Sequence, residues 1–364
     1  MSKTINMEFC ILSFLGIIFV VAGHLSYNIL TLGGLFTYYS FHMPLFIFIS
    51  GYFYKRNEEN NILLFIKHKF VRLLIPYFFY NLLYGIITFI LYKNGFTIGG
   101  SFSFHNLIVE PFIGGHQFVY NFPSWFVPAL FIVQVVNMAI RKVFAIIRLN
   151  FEWLLFVIYF IFGMININFA MKGYNTGYIL PVVRTFYLLP FFELGYLYKS
   201  KLENKDNISN FKYFSIILII QLIMMAKYND LDTSAVWCNQ FLNGAVVAYI
   251  SAATGIFFWL RISKFITPLF KNNKYVIYAG THTFDIMMHH IFVFMVVKVS
   301  FYVLQHFIDF QPVFDTIACK TNIWYYYLVS NLEVFKFVYL VLGIIIPLLL
   351  RYFIDNIKKN IFRN

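Results

Sequence analysis

The sequence predicts an all-α, polytopic membrane protein with about ten transmembrane helices and both termini cytoplasmic. Three observations predict it. Of 364 residues, 60% are hydrophobic, 22% aromatic and only 12% charged, whereas a water-soluble chain normally carries about 25% charged residues. Apolar stretches of about 20 residues, the length that crosses a bilayer core, recur along the whole chain. Basic residues gather in alternate loops. This balance disfavours a soluble globular enzyme, a nucleic-acid reader and a disordered chain, despite a formal charge of +13.

Ten segments qualify as spans: 9–30, 37–54, 73–92, 124–141, 152–170, 179–198, 213–227, 241–260, 278–299 and 334–354. The first sits where a signal peptide would, but it is too long and lacks a small-residue cleavage site, so it reads as retained. The second carries Pro44 and Gly51, which membrane helices tolerate. Ahead of the third, "NNILLFIKHKFVRLLIPYF" reads as a basic amphipathic helix on the inner leaflet, turning into the membrane at Pro76. The seventh is the shortest. Neither an inverted repeat nor a low-complexity tract interrupts the series.

Lys and Arg set the orientation, because cytoplasmic loops hold their excess. With the N-terminus inside, the inner segments hold Lys3; Lys55, Arg56, Lys67, Lys69 and Arg72; Arg141, Lys142 and Arg148; Lys199, Lys201, Lys205 and Lys212; Arg261, Lys264, Lys271 and Lys274; and Arg351, Lys358, Lys359 and Arg363. These are 21 of the 28 basic residues. The outer segments hold five, Lys93, Lys172, Lys227, Lys320 and Lys336, while Arg184 and Lys298 fall within spans. The asymmetry accounts for the net charge with no nucleic-acid partner. It describes a single membrane domain over 1–364, multi-pass in the cell (plasma or inner) membrane and surrounded by lipid bilayer.

Two outer segments, 93–123 and 300–333, are long and aromatic, and loops of this length are usually functional or disordered. "SFSFHNLIVEPFIGGHQFVYNFPSW" is apolar enough to dip back toward the bilayer. Three cysteines make neither a disulfide framework nor a zinc pattern, and no metal site is expected. Cys238 and Cys319 both fall on the outer side, which leaves a pairing between them open.

Ionisable groups inside a bilayer are costly and are candidate functional groups by default. They are His24, His42, Arg184, Glu193, Asp285, His289, His290 and Lys298. At about 1.5 Å per residue, His24 lies roughly 22 Å along an outward span, and His42 and Arg184 about 8 Å below the outer edge of inward spans. Three polar groups from three spans thus share one layer. Imidazole accepts and donates protons near neutral pH, so this layer suits proton removal from a sugar hydroxyl and stabilisation of an oxyanion. The bland alternative is that each histidine merely hydrogen-bonds a neighbouring helix. Arg184 needs an anion or several carbonyls, and either an acidic residue or a substrate would serve. Glu193 and Asp285 lie nearer the inner side, where basic residues are available to pair with them. His289 and His290 face about 100° apart, so at most one faces a cavity. No GxSxG elbow, HExxH, Walker loop or Rossmann glycine pattern is present.

Several strings resemble the integral-membrane acyltransferase family 3, particularly its branch that O-acetylates cell-surface polysaccharides (fucose 4-O-acetylase-like). "FLGIIFVVAGH" looks like the family's first span, ending in the histidine taken as catalytic, here His24. "YSFHMPLFIFISGYFYKR" is similar to the second, with His42, Ser50 and Gly51. "KFVRLLIPYF", with Arg72 and Pro76, and "PSWFVPALFIVQ", with Trp125, Pro128 and Leu130, resemble the entries to the third and fourth spans. "RTFYLLPFFELGYLY" and "HTFDIMMHHIFVF" look like later segments.

The resemblance implies an O-acyltransferase that moves an acetyl or other acyl group from acetyl-CoA, as co-substrate, to a hydroxyl of a cell-surface polysaccharide or lipid-linked glycan. It implies His24 and His42 as catalytic residues, with Arg184, Trp125, His289 and His290 as substrate contacts. Where the family has a basic residue eleven positions before the histidine, this chain has Ser13. Donor binding is then expected around Ser13 and Arg72. Two other functions fit the composition: a polysaccharide exporter without chemistry, which Ser13 and the aromatic outer loops favour, and a structural or regulatory membrane subunit.

Overall fold

The computed structural model describes residues 5–25, 29–30, 32–149 and 151–361. Among them there is no β-strand, only isolated bridges between Leu32 and Leu35 and between Ser234 and Asn239. Of the residues used to orient the chain, Lys3 and Arg363 lie outside the described residues, as do positions 26–28 of the first expected span.

Eight helical stretches are long and apolar enough to cross a membrane. They contain α3 with α4 (Ile62–Lys69 and Ile75–Lys93), α5 (Phe126–Ile146), α6 (Glu152–Met171), α7 (Leu180–Leu197), α8 (Asn210–Lys227), α9 (Gly244–Phe270), α11 (Thr283–Leu304) and α13 (Lys336–Ile361). Two shorter helices, α1 (Met7–Gly23) and α2 (Tyr38–Tyr52), are packed among them and make ten in all. α10 (Lys274–Thr281) and α12 (Thr316–Thr321) are short connectors.

Two expectations need correction. The first helix stops at Gly23 rather than continuing through residue 30, with His24 as its C-cap. The segment before the third span is no separate helix turning at Pro76. It runs into α4 through a π-helical turn, Phe70–Leu74. Pro76 lacks an N–H and its ring crowds the carbonyl four residues back. A wider π turn at that point absorbs both defects without breaking the helix.

α2 and α7 approach most closely through glycine. A Cβ on Gly51 would lie 1.8 Å from the Phe192 carbonyl oxygen, and one on Gly195 would lie 2.0 Å from that of Phe48. The similar strings "SGYFYKR" and "LGYLYKS" therefore end two helices that touch backbone to backbone. Around this end, where α1 begins and α2 finishes, the buried charges are paired, as a low-dielectric interior demands. Arg141 holds Glu193 at 2.5 Å, Glu152 at 2.9 Å and Glu59 at 3.7 Å. Asp206 binds Arg261 at 2.5 Å and Lys264 at 3.3 Å. Arg351 meets Asp285 at 3.7 Å.

At the opposite end the long loops fold inward. Phe118 and Tyr120 are buried, and Gln117 donates to Asn81 at 2.7 Å. In the 300–333 segment, Phe314, Cys319 and Tyr327 form a small core of their own. Cys238 and Cys319 are both free thiols, so the pairing left open by the sequence is not made. Cys238 instead donates to the Ala235 carbonyl at 3.6 Å.

Candidate active site

α1 presents Ser13, Ile17, Val20 and His24 at intervals of four, three and four residues, one stripe along one helical face. The end of the stripe is pinned from outside the helix. The last carbonyls of a helix lack intrahelical partners. Here Tyr39 donates to the Gly23 carbonyl at 2.9 Å and Tyr326 to that of His24 at 2.6 Å. These hydroxyls, from α2 and from a loop 302 residues away, fix where the His24 side chain begins its reach.

Ile17, Val20 and His24 line a cavity of about 400 Å³. It runs from Leu73 and Thr283, near the starts of α4 and α11, to Trp237 and Trp324 in the loops at the other end. His42 and Trp125 line it as well. The walls are mainly aliphatic and aromatic, so the few polar groups stand out. The volume falls within the usual range of small-molecule sites.

Three imidazoles meet at the end of the stripe. His42 Nδ1 lies 2.5 Å from the Tyr38 carbonyl, which can only accept. The proton is therefore on Nδ1, and the Nε2 lone pair is left as a base. His290 Nδ1 donates in the same way to the Ile286 carbonyl at 2.8 Å. The His290 and His24 rings are 5.3 Å apart. Among the described residues, His290 Nε2 and His24 Nδ1 are both buried with no hydrogen-bond partner. One is a lone pair, and the other carries a proton in one tautomer. With a proton on His24 Nδ1, His24 Nε2 is the basic atom. His42 lines the same cavity as His24. His289 points elsewhere, 2.7 Å from the Tyr84 hydroxyl, so only one of the two adjacent histidines joins the site.

Arg184 meets carbonyls rather than an acid. It donates to Ile113 at 3.4 Å, to Gly114 at 3.3 Å and to Val236, and its guanidinium lies 4.8 Å from the Trp125 ring. It does not line the cavity. Its position ties the loops that carry Trp125 and Val236, both cavity walls, to α7. The Ile113–Gly114 carbonyls are presented by a tight turn in which Gly115 has φ +81°, and any Cβ there would meet Trp125 at 2.7 Å. Glycine is required at that position for both reasons.

Toward the other end, Ser13 continues the stripe one turn below Ile17, with its hydroxyl bonded to the Phe9 carbonyl at 2.8 Å. Arg72 is exposed beside the cavity wall Leu73 and makes no ion pair among the described residues. Sequence reasoning missed the ring of aromatics around His24. Trp324 lies nearly parallel to its ring at 12° and 5.7 Å, and Phe122 stands edge-on at 5.7 Å. The aromatic content of the long loops was the only signal of this, and it named no residue. Among the described residues, no group of three His, Cys, Asp or Glu side chains is placed to hold a metal ion.

Compared with curated proteins and with solved structures, the chain has no match. The family model described as an acyltransferase domain matches residues 11–350. That span takes in both histidines of the cavity, the pinned end of α1, most of α1, α2 through α11 whole and the first part of α13, and the chain therefore belongs to this acyltransferase family, as a membrane acyltransferase.

Proposed function

We propose that the protein transfers an acetyl, or another small acyl, group from cytoplasmic acetyl-CoA to a hydroxyl of a cell-surface polysaccharide or its lipid-linked precursor in the plasma membrane. The observation that carries this reading is the position of His24. It closes a stripe that begins at Ser13, about 16 Å away along the helix, and it lines one cavity that reaches toward both ends of the bundle. An extended pantetheine arm matches that length. The nucleotide stays outside at the basic end, where Arg72 is free to meet phosphate and where the proposed orientation puts the cytoplasm. The acceptor hydroxyl enters past Trp324, Trp237 and Trp125, whose ring faces suit a sugar ring.

In the reaction, His24 Nε2 takes the hydroxyl proton as the oxygen attacks the thioester carbonyl. The carbon–sulfur bond breaks, and the imidazolium returns the proton to the departing thiolate. Alternatively His24 carries the acyl group briefly before the hydroxyl accepts it. His42 supplies a second neutral base, and His290 holds the His24 tautomer. Arg184 acts as a positioning residue through Trp125.

Export without chemistry is the second reading, favoured by Ser13 in place of a basic residue. The small, largely apolar cavity supports transfer over passage of a polar chain. The test uses cells carrying the parent protein, His24→Ala or no copy, with NMR of the purified surface polymer. Loss of O-acetyl groups with polymer still displayed is expected for His24→Ala. Full substitution in that strain overturns the role of His24, and lost display with unchanged substitution in the null strain favours export.

A further inference from the structure

A second cavity, of about 510 Å³, lies between α8 and α9, away from the histidines. Two hydrogen bonds join the two helices along it. Tyr213 donates to the Phe257 carbonyl at 3.1 Å, and Gln221 donates to Thr254 at 3.1 Å. The facing residues are Ile216, Ile217 and Ile220 of α8 and Ile250 and Ala253 of α9, and the short Ala253 side chain leaves the trough unfilled. Half of α8 is exposed, and only Ile217, Gln221 and Met224 are buried.

The trough ends among charged side chains of both signs. Asp206, on its wall, is turned inward to Arg261 at 2.5 Å and Lys264 at 3.3 Å. Glu203 is turned inward to Tyr52 at 2.9 Å. Lys205, also on the wall, is exposed, as are Lys201 and Lys212 next to the wall residues Leu202 and Tyr213. None of these three lysines makes an ion pair among the described residues. Asp206 is neutralised inside by Arg261 and Lys264, whereas Lys201, Lys205 and Lys212 are exposed.

We propose that this trough is a binding site for an anionic phospholipid of the bilayer, with one acyl chain between α8 and α9 and the phosphate at Lys205, Lys201 and Lys212. An acyl chain fills an aliphatic slot open along a membrane-facing helix, and the unpaired lysines select an anionic headgroup over a zwitterionic one. The site is independent of the acyl-transfer reading, because no residue of it touches the histidine cavity.

The test uses the full-length protein in nanodiscs of phosphatidylcholine, with or without phosphatidylglycerol. Lipid retained by the protein is measured by native mass spectrometry after release from the discs. Phosphatidylglycerol is expected to be retained selectively. Each lysine near a charged headgroup is worth roughly fivefold, so Lys201→Gln, Lys205→Gln and Lys212→Gln together should cut retention by at least about tenfold. Ala253→Trp, which fills the trough, should abolish retention while leaving the melting temperature in pure phosphatidylcholine unchanged. Equal retention of both lipids, or undiminished retention by the triple lysine variant, overturns the proposal. The lysine variant carries the decision if Ala253→Trp fails to fold, since its three positions are on the surface.

Discussion

Replacing Gly51 by alanine places a methyl group 1.8 Å from the Phe192 carbonyl oxygen, where ordinary contact begins near 3.4 Å. The obstacle is backbone, so no rotamer change relieves it. α2 and α7 must part by roughly 1.5 Å, a large step against the usual interaxial distance of about 8–10 Å. Overpacking of this kind costs about 3 kcal/mol or somewhat more, and the better helix propensity of alanine returns only about 1 kcal/mol. A net loss of about 2 kcal/mol is therefore the expectation. Gly195→Ala should cost a similar amount, since its methyl group would lie 2.0 Å from the Phe48 carbonyl. Once one substitution has separated the helices, the second meets little resistance. The double variant should therefore be less destabilised than the sum of the singles by at least about 1 kcal/mol. Gly23→Ala is the control: its Cβ would sit 3.5 Å from the Tyr39 ring, an ordinary contact, so neutrality or slight stabilisation is expected. The assay is equilibrium unfolding in mixed micelles followed by tryptophan fluorescence. Gly51→Ala within about 0.5 kcal/mol of the parent, or strict additivity with Gly195→Ala, would refute the close-packed interface.

Three further outcomes are expected. Tyr326→Phe removes the donor to the His24 carbonyl and should lower kcat by about tenfold or more with KM for the donor unchanged, because small displacements of a reacting group are costly; a full-rate variant in a steady-state acetyl-transfer assay would discard the clamp. Arg184→Lys cannot reach three carbonyls or stack on Trp125, and should lower the unfolding free energy by about 2 kcal/mol; a thermal melt unchanged from the parent contradicts this. Ser13→Arg puts a cation on the stripe and should tighten acetyl-CoA binding by about tenfold, the worth of one charge-assisted hydrogen bond; calorimetry showing equal or weaker binding rejects donor entry along that face.

The membrane fold was legible because a bilayer imposes length and apolarity on every span, and eight of the ten segments satisfy both by themselves. The two that do not are α1 and α2. Their ends are set by tertiary contacts, such as the Tyr326 hydroxyl at the His24 carbonyl, that no local pattern encodes. His24 and His42 were visible as imidazoles in an apolar setting, and they do line one cavity. Arg184 was visible for the same reason, yet its partners were not, since backbone carbonyls of distant loops carry no sequence signature. Adjacent His289 and His290 could be separated only as alternatives by helical angle. Packing decides that His290 faces His24 and His289 faces Tyr84. Trp324 and Phe122 were hidden among many loop aromatics.

The shortness of α1 and α2 reshapes the barrier itself. At 17 and 15 residues they measure about 25 and 22 Å, while α9, with 27 residues, is about 40 Å tall. The contrast is with α9 above all, since α7 and α8, at 18 residues each, exceed α1 by a single residue. On the proposed reading, a donor and an acceptor held at opposite ends of α1 have about 25 Å between them instead of the roughly 40 Å of α9.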